Sequence, residues 1–148
     1  MLICRSVILV VILIASGCGR FLPNRSVVGG INRATHDGSS THIDLAKLTD
    51  FEWDRLFIFG PYSYPERMCR DIGFSKSECE AANLKNVDEG EYLLVFLNGR
   101  KVIRMERYSR LDGSVDKNGL AIGLTPKDAL FSIERRIGGI YLTHIVSN

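Results

Sequence analysis

Asn98-Gly99 lies between two apolar runs, Tyr92 to Leu97 and Val102 to Met105. Asn-Gly is a preferred pair for the two-residue turn of a type I′ β-hairpin. With those residues as the turn, Leu97 faces Arg100, Phe96 faces Lys101, Val95 faces Val102 and Leu94 faces Ile103. One face then carries Tyr92, Leu94, Phe96, Ile103 and Met105, which reads as core, with Lys101 near the turn. The other carries Leu93, Val95, Leu97 and Val102, mixed with Arg100 and Arg104. A strand apolar on both faces belongs in the middle of a structure, covered on each side. Helices can supply one cover, and a second layer of the domain or a partner the other.

Gly138-Gly139 marks a second hairpin. It pairs Ile137 with Ile140, Arg135 with Leu142, Ile133 with His144 and Phe131 with Val146, giving one largely apolar face. Ser132, Glu134, Arg136, Tyr141 and Thr143 form the wet face, with Ile145 the exception. Thr125-Pro126 could instead start a helix running to Arg136. The alternation of Phe131, Ile133, Arg135 and Ile137 favours a strand.

Upstream, Phe51 to Phe59 reads as a dense aromatic and β-branched strand that stops at Gly60-Pro61. Ser63-Tyr64-Pro65-Glu66 has the form of a capping box leading a helix that Gly73 ends, and Ser75-Lys76-Ser77-Glu78 starts a second short helix. Ile43 to Thr49 fits neither period. The expected fold class is therefore α+β: a mainly antiparallel sheet of about five strands, including two hairpins, with one or two short helices after the first strand. With 148 residues and 24% charged, the chain holds at most one such domain plus a tail. Its 19 basic and 17 acidic residues give no reason to expect nucleic acid as a partner.

The amino terminus has a different character. Of residues 1–17, 13 are hydrophobic, none is acidic and Arg5 is the only charge. The unbroken apolar run Val7 to Ala15 is too short to span a bilayer, which takes about 20 residues, but suits an export signal. Ile14-Ala15-Ser16-Gly17-Cys18 resembles the lipobox of bacterial lipoproteins, with Ala15 where Leu is usual. The resemblance implies cleavage before Cys18, a diacylglycerol on its sulfur, and a cell-envelope location. Gly19 implies the outer membrane, facing the periplasm, in a Gram-negative host. The divisions expected are a signal peptide 1–17, a flexible tether 18–40 and a globular domain 41–148. As a coil of about 22 residues the tether would span about 26 Å.

Cys69 and Cys79, ten positions apart, can form a disulfide in an exported chain, or remain as two buried thiols. No CxxC is present and neither cysteine has a neighbouring histidine, so no metal site is expected. Asp112, Ser114, Asp116 and Asn118 alternate like a calcium loop, but Lys117 and Gly123 stand where an EF-hand needs Gly and Glu. G-x-S-x-G, P-loop, HExxH and GxGxxG motifs are all absent. His36 and His42 lie in or beside the expected tether, and His144 reads as a partly buried histidine with one satisfied nitrogen. Asp50, Glu52 and Asp54 cluster beside Trp53, as a carboxylate pair for acid–base work or, equally well, as the charged rim of a strand. These residues make enzymatic activity the weaker expectation, with no catalytic residue and no small-molecule cofactor assigned.

The segment from Phe51 to Tyr64 holds six of the chain's aromatic residues. Trp53, Phe57 and Phe59 suit a core strand. Tyr62 and Tyr64, in the turn, are candidates for an interaction surface, because tyrosine buries area at small entropic cost. The stretch Phe51-x-Trp53-Asp54…Phe59-Gly60-Pro61-Tyr62 resembles small bacterial exported proteins, a resemblance that implies no particular activity. The functional expectation is a lipid-anchored envelope protein that acts as an interaction or accessory module with a protein partner. The alternative is an inhibitor or immunity protein directed against an exported enzyme or toxin.

Overall fold

Both faces of β3 (Glu91–Asn98) are buried, as a two-sided apolar run requires. The computed structural model, which describes residues 26–146, supplies both covers from the chain itself. The remaining elements in chain order are α1 (Val27–His36), β1 (His42–Asp44), α2 (Leu45–Leu48), β2 (Arg55–Phe59), α3 (Pro65–Ile72), α4 (Lys76–Ala82), β4 (Lys101–Ser109), β5 (Ser114–Val115), β6 (Leu130–Arg136) and β7 (Gly139–His144). They build two sheets, ordered β2-β3-β4 and β1-β6-β7-β5, antiparallel except for the β5–β7 pair. The α+β expectation holds, with seven strands in two sheets rather than about five in one. Of the four α-helices among the described residues, two precede β2 rather than follow it.

The three-stranded sheet divides the core. On one side Leu56, Ile58, Tyr92, Leu94, Phe96 and Tyr108 pack against the second sheet through Phe131, Ile133 and Leu142, and against Val27 and Ile31 of α1. On the other, Phe57, Phe59, Leu93, Val95 and Leu97 meet Met68, Cys69 and Ile72 of α3, together with Leu84 and Val87. Cys69 and Cys79 form a disulfide, with their Cα atoms 5.6 Å apart, joining α3 to α4. The second helix starts where expected, at Ser75-Lys76-Ser77-Glu78, and Ser75 and Glu78 there form a capping box. The capping box expected at Ser63 and Glu66 does not form: Tyr64 is the N-cap, without a side-chain bond, and Pro65 begins the helix. Ser63 lies one residue too early, its carbonyl held instead by the Val87 amide at 2.9 Å.

Both hairpins form in a different register from the one expected. In the first, Asn98 pairs with Lys101, so Gly99 and Arg100 are the turn, and a bulge follows between Phe96 and Leu97. Gly99 has φ 59 and Arg100 is not among the residues with positive φ, the pattern of a type II′ turn. Because side chains alternate, the added residue turns the outer part of β4 over. Phe96 now faces Arg104, and Ile103 and Met105, expected in the core, are 37% and 41% exposed. In the second hairpin Arg136 pairs with Gly139 and Ile133 with Leu142. That slip keeps Phe131, Ile133 and Leu142 on the buried face, but leaves Ile137 and Val146 exposed.

The largest correction concerns the expected tether. Its first part, 18–25, lies outside the described residues, as do the signal segment and Cys18. From Ser26 onward it is structured: α1 buries Val27, Gly30, Ile31 and Thr35. The two glycines and paired valines are poor helix formers, so α1 draws its stability from packing. A Cβ on Gly30 would stand 3.0 Å from Leu48, and glycine lets α1 approach α2 closely. The folded domain therefore begins by residue 26, not at 41. Among the described residues no helix is long and apolar enough to cross a membrane.

Glu106, on β4, fastens the start of α1. Its carboxylate accepts from the Ser26 hydroxyl at 2.7 Å and from the amides of Val27 and Val28 at 3.1 and 3.0 Å, and pairs with Arg104 at 3.0 Å. Burial pushes its carboxyl up, but the bonds from Val28, Ser26, Val27 and Arg104 together outweigh that and hold it below the ordinary 4.5. A lowered native pKa stabilises the fold above the unfolded value, and that stability is lost as pH falls through the native one. Glu106→Gln is therefore expected to cost about 1–3 kcal/mol at neutral pH. Urea titrations of both proteins should converge as pH drops below 4.5; a gap independent of pH would show that the charge does not hold α1.

Candidate functional site: the Tyr62–Tyr64 turn

β2 delivers the chain to Gly60-Pro61, and the next residue is strained. Tyr62 has φ 64, in the left-handed region, where a bulky L residue costs of order 1–3 kcal/mol unless its surroundings hold it there. They do: the Tyr62 amide donates to the Val87 carbonyl at 2.8 Å, and the Val87 amide donates to the Ser63 carbonyl. Val87 is itself anchored, 2% exposed in the core beneath α3. The result is an aromatic ring fixed at its backbone and 69% exposed, with Tyr64, 47% exposed, two residues on.

Asn86, Val87, Asp88 and Glu89 form the opposite wall of a shallow groove of about 290 Å³ between them and the two tyrosines. Arg110 ties that wall to the end of β4 by donating to the Glu89 carbonyl at 3.1 Å. Partial desolvation of the Tyr62 hydroxyl, then the hydrogen bond to and charge of Glu89, raise its phenol above the ordinary value. It stays a neutral donor at physiological pH. The site thus offers two aromatic faces, their phenols and an acidic wall.

The other candidates have structural duties. Asp54 accepts from the Gly99 amide at 2.7 Å and so braces the first hairpin. Trp53 is buried, with its ring nitrogen donating to Thr49 at 3.0 Å. His144 donates from Nε2 to the Asp128 carbonyl at 2.8 Å, while its buried Nδ1 has no hydrogen-bond partner among the described residues, close to the reading from sequence. Asp112 accepts from Asn32 and Asp116 from the Asn118 amide, so the calcium-like alternation serves to fold the loop. Among the described residues no three His, Cys, Asp or Glu side chains are grouped to hold a metal ion. The void among Ile31, Tyr108 and Phe131 is about 10 Å³, room for one water at most. Asn86 to Glu89 carried no signal in the sequence, because only the fold brings them to Tyr62.

No protein-family model matches this chain, nor does any curated protein or solved structure.

Proposed function

We propose that this chain is a lipid-anchored protein of the cell envelope whose domain is a protein-interaction module, with the Tyr62–Tyr64 turn as its contact surface. The lipobox-like sequence ending at Cys18 supports the address. The observation that carries the interaction reading is Tyr62, held at φ 64 while 69% exposed. Strain of this kind gathers where a side chain must be presented in one orientation. A fixed aromatic loses little entropy on binding, which makes it a suitable anchor for a partner's pocket. The open groove beside it suits a protein surface better than a small molecule, which favours deeper enclosure.

Two measurements test this reading. Cys18→Ala is expected to move the protein from the membrane fraction to the soluble one; retention in the membrane would remove the lipid anchor. A photoreactive residue at Tyr62 is expected to give one discrete crosslinked adduct in intact cells, against none at Ile137. Equal labelling at both positions would remove the contact surface.

A further inference from the structure

We infer that the outer edge of β4, with the groove beside it, is the face that lies against an anionic lipid surface. The inference rests on the anchored reading above and adds an orientation to it. Its first support is where the chain enters the fold. Ser26, Val27 and Val28 are bonded to Glu106, in the middle of β4. Only eight residue steps separate Cys18 from Ser26, a reach of at most about 29 Å fully extended. A lipid on Cys18 would therefore keep Ser26, and with it the middle of β4, within that reach of the headgroups. α1 leads away from that point for about 15 Å to its last turn. There Arg135 of β6 donates to the carbonyls of Ala34 and Thr35, which puts the β6–β7 hairpin at the far end.

The second support is chemical. Among the described residues β4 is an edge strand, paired with β3 alone. From Arg100 to Arg110 the chain carries five basic residues and one acid, Glu106, which is turned inward to hold α1. Arg100 and Arg107 are paired with Glu78 and Glu91, while Lys101 lies exposed near the turn. Cationic side chains guard an edge against stray strand pairing. They do not require Ile103 and Met105 to stand exposed among them. Beside Met105, a groove of about 230 Å³ has Leu93 at its base and Lys85 and Arg107 at its rim. Apolar side chains flanked by cations are the composition that settles at a phosphate headgroup boundary.

The test uses the lipidated full chain, reconstituted in vesicles of phosphatidylglycerol and phosphatidylcholine with brominated acyl chains. The native Trp53 is 8% exposed, so an added surface tryptophan reports separately. Met105→Trp and, as a second reporter, Ile103→Trp are expected to be quenched severalfold more than Ile137→Trp. Adding Lys85→Glu with Lys101→Glu should weaken that quenching, as should vesicles of phosphatidylcholine alone. Flotation of the protein with equal quenching at all three positions would overturn the orientation and leave the anchor standing. Failure of the lipidated chain to float would overturn both. Reporters shielded from bromine but also from aqueous iodide would mark a polypeptide strand added to β4, and would overturn the lipid assignment.

Discussion

Phe96→Ala is expected to destabilise the domain by about 3–5 kcal/mol, the range for deleting a large aromatic from a packed core. Phe96 is 0% exposed at the centre of the middle strand. Its ring meets Phe51 edge-on at 5.2 Å and Trp53 at 5.3 Å, so truncation removes area and two aromatic contacts together. Neighbouring strands on both sides limit how far the backbone can collapse into the void. Urea unfolding followed by Trp53 fluorescence reads both the midpoint and the loss of the ring contact. A loss below about 1 kcal/mol would be typical of a surface site and would contradict the packing described here.

Replacing both Cys69 and Cys79 by alanine is expected to cost about 2.5–3 kcal/mol on the chain-entropy account of a loop this size. The loss should be local in character. α4 buries none of its own residues and is held by its capping box, the disulfide and the Arg100 pair with Glu78. Arg100 also donates to the Gly73 carbonyl at 2.8 Å, so the hairpin turn, the α3 C-cap and the α4 start form one joint. Arg100 first, then the Ser75 amide and hydroxyl, bring the Glu78 carboxyl down to about 2, which keeps that joint charged through mild acid. Without the disulfide, amide exchange in residues 76–82 should accelerate well before that of β3. Unchanged protection in α4 would mean that its docking does not depend on the covalent link.

The features legible in the sequence were those decided locally or by a two-sided pattern. Ser75 and Glu78 satisfy each other within one turn, and β3 could only be central because Leu93 and Leu94 are both apolar. The turn Asn98-Gly99-Arg100 was ambiguous for a definite reason. Gly99 can take positive φ at either central position, so composition alone does not choose between two turns one residue apart, whose pairings differ by two residues. The bulge at Phe96 and Leu97 then turned Ile103 and Met105 outward, and nothing near them announces it. α1 was hidden by Gly29-Gly30, which reads as a loop until Leu48 is known to lie against it. Ser26, followed by Val27, Ile31 and Ala34 at helical spacing, was the signal that could have found it. For the candidate site, the two tyrosines were legible as aromatic residues in a turn. The strain at Tyr62 and the Asn86–Glu89 wall arise from long-range contacts.

The attachment of α1 to Glu106 also fixes how the domain bears load. A pull on the chain upstream of Ser26 reaches the fold at the side of β4, rather than along the axis of a strand. The Ser26–Val28 bonds and then the packing of Val27 and Ile31 would meet that force one after another, so α1 peels before either sheet is sheared. Once detached, its ten residues would add slack between the point of pull and the sheets, giving the domain a first yielding element ahead of its core.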